Sequence, residues 1–318
     1  MVKKGIIDVL IVLLLIFAIL LTAFNFRMIL GDYHYLRSDY FNLAKDWQTA
    51  RMEARKAVEY IPWRHRLWFE MGKADDNLGM DDEAIEAYMN ALKTHPNHLN
   101  SLVNLGHMYI KKRDYTNAVP PTLKALEIKP DFDLALFNMG LINEAQGKQR
   151  EAAEYYMKAV RANPKYTEAR FLLGIIYLKE NNLAGAKEQF ESVAEIRPDT
   201  PGVHFNLGLV YDRLGMTDRV EAEYRKEIAV NPGNADAYNN LGLIYTRAKR
   251  WQEAASFYRE AIRLNPDLGA AHVNIAVAYY ALKDYSASWR HARIGERLGV
   301  PQAKDIVEGL RKAAKEPN

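Results

Sequence analysis

Glycines recur every 34 residues without a gap, at Gly72, Gly106, Gly140, Gly174, Gly208 and Gly242. Prolines keep the same period at Pro62, Pro96, Pro130, Pro164, Pro198, Pro232 and Pro266. So do Ala50, Ala84, Ala118, Ala152, Ala186 and Ala254, with Val220 in the missing place, and the series Tyr109, Tyr177, Tyr211, Tyr245 and Tyr279. Four columns in one register restrict the chain to an architecture in which one supersecondary unit is stacked many times. Eight units fill 31–302, divided as 31–64, 65–98, 99–132, 133–166, 167–200, 201–234, 235–268 and 269–302. A chain of 318 residues would otherwise be expected to hold about two domains. In a repeat array, extra length adds units instead.

Each unit reads as two helices. In 235–268, Tyr238, Leu241, Leu243, Ile244 and Tyr245 keep helical spacing in the first half. Ala254, Phe257, Tyr258, Ala261, Ile262 and Leu264 keep it in the second, and Ala248-Lys249-Arg250 forms the turn between them. Pro266 ends the second helix and presets entry to the next unit. Gly242 is expected to let the first helix press on the second, where Ala254 and Ala261 offer little bulk. The period, these columns and the aromatic after the turn (Trp47, Tyr115, Trp251, Tyr285) resemble the tetratricopeptide repeat family over about 272 of the 318 residues. The resemblance implies an all-α, right-handed superhelical solenoid of helix-turn-helix repeats, with a concave inner groove lined by the first helix of each unit.

Some positions depart from the pattern. Unit 31–64 carries Arg37-Ser38 where Leu-Gly is usual. Asp75 and Asn143 replace the Tyr, and Glu227 stands where a small residue is expected, so looser packing is expected at these places. Unit 269–302 has Ala276 for Gly and Gly295 for Ala. After it, Ala303, Ile306, Val307 and Leu310 form one apolar stripe, which reads as a capping helix within the tail 303–318. Pro120-Pro121 falls inside the second helix of 99–132, which must start late, near Val119, or kink.

The family resemblance implies which residues line the groove. The fifth place of the units holds Tyr35, Phe69, Val103, Phe137, Phe171, Phe205, Asn239 and Val273. The ninth holds Leu141, Ile175, Leu209 and Leu243 among others, and the sixth holds Asn104, Asn138, Asn206, Asn240 and Asn274. Aromatic and aliphatic patches would then alternate with a ladder of amides, each able to donate and accept toward an extended peptide backbone. The competing reading is that these groups bind neighbouring helices. Lys111, Lys179, Arg213 and Arg247 lie one turn along, where they would favour an acidic segment or sit at helix ends near the dipole's negative pole. Because the fifth place is aromatic or apolar except at Asn239, the carboxylate clamp by which some family members seize chaperone C-termini is not expected.

Residues 1–30 read as an anchor. The run 6–24, IIDVLIVLLLIFAILLTAF, is apolar except for Asp8 and Thr22. As a helix it spans roughly 28 Å, close to the bilayer's hydrocarbon thickness. The run is long for a signal peptide, and Leu21-Thr22-Ala23-Phe24 lacks the small-x-small cleavage pattern, so an uncleaved single-pass anchor is expected. Lys3 and Lys4 precede it, and Arg27 and Arg37 follow. The lysines lie closer together and nearer the span, which places the N-terminus in the cytoplasm and the repeats on the non-cytoplasmic side.

Chemistry of its own is not expected from this chain. It has no cysteine, which removes thiolate zinc sites, iron–sulfur clusters, disulfides and a thiol nucleophile. It has no phosphate-binding glycine loop, and the only close histidine pair, His95 and His98, flanks Pro96 in an inter-unit turn. The residues outside the repeats leave no room for a catalytic domain. The net charge of +3 gives no general reason to expect nucleic acid. No cofactor, metal or small-molecule substrate is therefore expected. The reading is a non-enzymatic, membrane-anchored interaction scaffold that holds a protein or peptide partner and assists assembly of a membrane complex. The alternative is a receptor or chaperone for exported or imported polypeptides. One stoichiometric partner in a native pull-down favours the first, and many substoichiometric clients favour the second.

Overall fold

A computed structural model describes residues 2–313, with side chains from Val12 onward. The side chains of Lys3, Lys4 and Asp8, and the tail beyond Ala313, lie outside it. Among the described residues there are seventeen helices and no strand. Consecutive helix pairs pack as a solenoid of repeats. The chain divides into two compact units, Met1–Pro164 and Lys165–Asn318.

The first unit holds α1 (Val2–Leu43), α2 (Trp47–Tyr60), α3 (His65–Asn77), α4 (Asp81–Thr94), α5 (Leu99–Lys111), α6 (Tyr115–Ile128), α7 (Asp133–Ala145) and α8 (Gln149–Ala162). The second holds α9 (Thr167–Lys179), α10 (Leu183–Ile196), α11 (Val203–Arg213), α12 (Thr217–Val230), α13 (Ala235–Arg247), α14 (Trp251–Leu264), α15 (Gly269–Ala281), α16 (Tyr285–Arg297) and α17 (Gln302–Ala313).

The turn inside every repeat uses one left-handed residue at a fixed place. It is glycine at Gly79, Gly147 and Gly215, but Lys45, Arg113, Asn181, Lys249 and Lys283 elsewhere. The residue after it donates its N–H back to the fifth carbonyl before it, as in Arg250 to Tyr245 at 2.8 Å and Asp284 to Tyr279 at 2.9 Å. This is the Schellman closure of a helix C-terminus. Asp46, Asp114, Asn182 and Asp284 then cap the next helix by accepting from an N–H three residues on. A left-handed lysine strains its Cβ against the backbone. Lys249→Gly, at φ 59°, is expected to raise stability by roughly 0.5–1 kcal/mol in urea unfolding, the strain relief exceeding glycine's entropy cost.

The glycine column makes room for a ring. A Cβ on Gly242 would lie 2.5 Å from Cε1 of Tyr258, the fully buried ring of the same repeat's second helix. The nearest steric partner is therefore the Tyr258 ring, on the second helix that carries the small Ala254 and Ala261. The alanine columns (Ala84, Ala118, Ala152, Ala186, Ala254) are fully buried.

Three other expectations change. α6 begins at Tyr115, capped by Asp114, and runs through Pro120 and Pro121 instead of starting late. The two carbonyls that the prolines leave without donors belong to Thr116 and Asn117, which are exposed, so water satisfies them. The apolar run and the first helix of unit 31–64 form one continuous helix, α1, of 42 residues. It packs on α2 through Met28, Tyr35, Ala57 and Ile61.

The third change concerns the odd residues: each is buried and polar-bonded, and the looser packing expected of them shows as a cavity of about 350 Å³ beside Asp75. Asn143 donates to Met139 O at 2.7 Å. Asp75 accepts from Arg51 Nε. Glu227, 0% exposed, accepts from the N–H groups of Gly202 at 3.0 Å and Phe205 at 3.2 Å, and from Asn234 Nδ2 at 3.0 Å. The reason lies in α11. Pro201 and a left-handed Gly202 (φ 82°) delay that helix to Val203, and the Glu227 carboxylate takes the N–H groups at its start.

Candidate functional site

The first helices of successive repeats carry the proposed contact residues at fixed register. In the first unit Phe69 and Phe137 are half-buried, with ring centroids 6.0 Å from Tyr88 and 5.6 Å from Tyr156. In the second unit Phe171 lies 5.7 Å from Phe190 and Phe205 5.9 Å from Tyr224, again half-buried. Each phenylalanine thus leans on the large ring of its own repeat and keeps part of its surface in solvent. Ile175, Leu209 and Leu243 are likewise partly buried against the core of the second unit, and Leu141 is half-buried in the first.

The amides are spent inside the chain. Asn104 Nδ2 donates to Tyr88 Oη at 3.2 Å, and Asn240 Nδ2 to Tyr224 Oη at 3.3 Å. Asn206 Nδ2 returns to Gly202 O at 2.8 Å, and Asn274 Nδ2 joins Asn239 Oδ1 at 2.9 Å. Asn138 is 2% exposed and ties α7 to α5 through Val103 O at 3.0 Å. Except for that of Asn206, which stays within α11 and its N-cap, these bonds fix one helix against another. The half-buried Asn104, Asn206 and Asn274 keep a carbonyl oxygen that accepts from no described group.

Three of the four cations close the preceding repeat's first helix. Lys111 Nζ meets Asp76 at 3.1 Å and Asp81 at 2.7 Å. Arg213 Nη1 donates to Leu178 O at 3.2 Å, and Arg247 pairs with Asp212 at 2.5 Å. Carbonyls at a helix C-terminus carry partial negative charge, so this placement is favourable in itself. Lys179 is exposed and makes no ion pair among the described residues.

Two imidazole clusters escaped the sequence reading. His65 joins His95 and His98, with ring centroids 4.6 and 4.8 Å away. His272 and His291 face each other through Nδ1 atoms 3.0 Å apart. His272 Nε2 must donate to Pro266 O, 3.0 Å away, so its Nδ1 accepts from the N–H of His291. Among the described residues no group of three or more His, Asp or Glu is placed to hold a metal ion. Burial first, then the neighbouring imidazoles and Arg66, push His98 down to about 4. Burial first, then His272 and Arg290, do the same to His291. Both rings stay neutral in the fold, while the unfolded chain takes up their protons near pH 6.5. Their contribution is therefore present above pH 6.5 and is lost as the pH falls toward 4. A thermal melt at pH 5 is expected to lie below that at pH 7.5, and replacing His98 and His291 by Gln is expected to narrow the gap.

α1 is long and apolar enough to cross a membrane from Val12 onward, and none of that stretch's span window is buried. Val12, Leu14, Phe17, Leu20, Phe26 and Ile29 are all exposed. Where the run ends, Phe24 stacks on Trp63 at 6.4 Å and Arg27 donates to Glu59 O at 2.9 Å, which ties the helix to the first repeat.

Tetratricopeptide repeat models match residues 65–98 and 99–132, residues 144–207, and residues 235–268. The chain belongs to the tetratricopeptide repeat family. It is similar in structure to YrrB, described as "a TPR protein with an unusual peptide-binding site", with 22% identity over 59% of this chain and 96% of that one and a TM-score of 0.53. It is also similar to PilF of Pseudomonas aeruginosa, with 18% identity over 70% and 98% of the two chains and a TM-score of 0.60. A chain of the APC/C hetero-tetramer Cut9–Hcn1 matches with 16% identity over 83% and 52%, at a TM-score of 0.57. At these identities the likeness is one of fold. No curated protein matches the sequence.

Proposed function

We propose that this chain is a membrane-anchored, non-catalytic scaffold. It holds an extended peptide or a subunit segment on the face formed by the first helices of its repeats and assists assembly of a membrane-associated complex. The observation that carries this reading is the row of half-buried phenylalanines, Phe171 and Phe205 in one unit and Phe69 and Phe137 in the other. Each has an inner edge fixed by a buried ring and an outer part left to solvent, which suits a rigid aromatic anchor at an interface. Peptide binding named for YrrB supports it by fold analogy alone. Asn138 belongs to the framework of this face. Asn104, Asn206, Asn240 and Asn274, with Lys179, are the polar groups at its surface.

Exposure of the apolar stretch from Val12 to Phe26 supports the anchor, because a soluble chain rarely leaves so large a patch uncovered. α1 is about 63 Å long, so one half spans a bilayer and the other begins the first repeat with no linker between them. Anchoring then holds the binding face at the membrane and raises the local concentration of a membrane-bound partner. The repeats lie on the non-cytoplasmic side in this reading.

Photoreactive residues at 171 and 205, introduced one at a time in native membranes, are expected to crosslink one stoichiometric partner. Phe171→Ala with Phe205→Ala is expected to weaken that capture at least tenfold while helicity stays unchanged. Crosslinks confined to the second helices of the repeats would sink the reading of this face. Digestion of 31–318 by protease added to intact cells with a permeable outer envelope tests the sidedness, and full protection overturns it.

A further inference from the structure

Asp75 occupies the place of the repeat's tyrosine with a shorter side chain. In other repeats this tyrosine bridges to the preceding repeat's second helix. Tyr211 Oη donates to Glu191 at 2.7 Å, Tyr245 Oη to Glu221 at 2.8 Å, and Tyr109 reaches Met89. At the third helix the side chain is short, and a cavity of about 350 Å³ opens there, lined by Trp68, Met71, Asp75, Arg51, Arg55 and Glu83 among others. By the share of volume a water takes in the liquid, roughly a dozen waters would fill it.

The polar groups at this cavity are selective. Asp75 is 0% exposed, its Oδ1 accepts from Arg51 Nε, and its Oδ2 has no hydrogen-bond partner. A buried carboxylate oxygen without a donor is costly, so a ligand that supplies one is rewarded. Arg51 and Arg55 hold the places taken by Glu221 and Arg225 two units before the end of the array, so the preceding helix here offers donors at both. An ammonium would satisfy Asp75 but face two arginines. A carboxylate would suit the arginines but face Asp75 and Glu83. A phenol answers both, since its oxygen accepts from a guanidinium while its O–H donates to Asp75. Its ring fits against Trp68 and Met71, and guanidinium groups already stand over this tyrosine's ring elsewhere, as Arg250 over Tyr245 at 4.4 Å and Arg219 over Tyr211 at 5.4 Å.

We propose that the cavity beside Asp75 receives a tyrosine side chain from a partner polypeptide, the ring taking the place of the repeat's missing tyrosine and the hydroxyl donating to Asp75 Oδ2. A second cavity of about 590 Å³ shares Arg51, Arg55 and Glu59 with it and adds Met52, Leu78 and Met80, which leaves room for the residues beside that tyrosine. The cavity lies between α2, α3 and α4, and Phe69, on the same α3, is not among the residues that line it.

The test uses the full chain in nanodiscs with carbon-13 methionine methyls, p-cresol as the tyrosine side chain, and toluene and benzylamine as controls. p-Cresol is expected to shift the Met71 methyl saturably, with an affinity about tenfold above that of either control. Asp75→Tyr is expected to abolish the shift by filling the cavity from within. Asp75→Ala, which keeps the cavity and removes the acceptor, is expected to erase the preference for p-cresol over toluene. No saturable shift with p-cresol, equal binding of toluene, tighter binding of benzylamine, or a shift that persists in Asp75→Tyr each overturns the proposal.

Discussion

Glu227→Ala is expected to cost about 3–5 kcal/mol, the range for breaking a buried charged interaction from one side. The carboxylate is 0% exposed and joins three elements of the second unit. It accepts from Gly202 and Phe205 at the start of α11, from Asn231 Nδ2 at the end of α12 at 3.4 Å, and from Asn234 Nδ2. Asn234 in turn caps α13 by accepting from Ala237 N at 3.1 Å. Alanine stands at this place in other repeats, as Ala57, Ala91 and Ala261, and is buried there without harm. It fails here because the backbone donors at the start of α11 would be left with neither partner nor water. Glu227→Gln keeps the shape and one acceptor but turns an N–H₂ toward donors, and is expected to fall between alanine and the native chain. Hydrogen exchange reads the effect locally. The Phe205 amide is expected to lose protection in Glu227→Ala before amides of α5 or α7 do, since contacts in a repeat array run between neighbours. A loss below about 1 kcal/mol with Phe205 still protected would show that the carboxylate is not the hub.

Glu227 also shows where the sequence stops being readable. Its column is otherwise small, so a glutamate there reads as a defect. Its partners at the start of α11 are backbone N–H groups 25 and 22 residues away, which carry no side-chain signature. What the sequence records well is steric necessity repeated in one register. Gly242 faces Tyr258 as Gly208 faces Tyr224, and so the helices and their turns are legible. Columns that use several residue types for one purpose are not. The left-handed turn position is Gly, Lys, Arg or Asn, and never showed as a column. A polar bridge between the two helices of a repeat recurs as His34–Glu53, Arg170–Gln189, His204–Glu223 and His272–His291, always 19 residues apart, in three different residue pairings.

The proposed binding face was legible to the same degree. Register identified which phenylalanines share it, because helix geometry fixes the side on which they emerge. Register could not say where an amide or a guanidinium points. Asn138 turns inward to Val103 O, and Arg213 and Arg247 turn back to the preceding repeat. The three-histidine cluster was missed because His65 opens one unit and His98 precedes the next, and only stacking brings their rings together.

The repeat 269–302 is followed by the single helix α17, and Trp289 stands where the two meet. It is 1% exposed, stands among the largest fully buried side chains, and packs with Ala276, Ala292, Val307 and Leu310. Val307 and Leu310 come from α17, whose other face is polar with Lys304, Asp305, Glu308 and Arg311. Trp289→Ala is therefore expected to cost about 3–5 kcal/mol, the range for emptying a buried aromatic site. The loss should appear as early hydrogen exchange of α15, α16 and α17, with α9 and α10 little changed. Trp289 Nε1 is buried and has no acceptor, so the indole carries a desolvation penalty that a phenyl ring avoids. Trp289→Phe loses apolar area but also removes that stranded donor, and is expected to stay within about 1.5 kcal/mol of the native chain. The pair of variants separates two explanations of the cap. If packing of α17 on a large ring holds the terminal repeat closed, alanine opens it and phenylalanine does not. If both variants behave alike, the ring is incidental, and α17 is held by its small contacts at Ala303 and Ala276 instead.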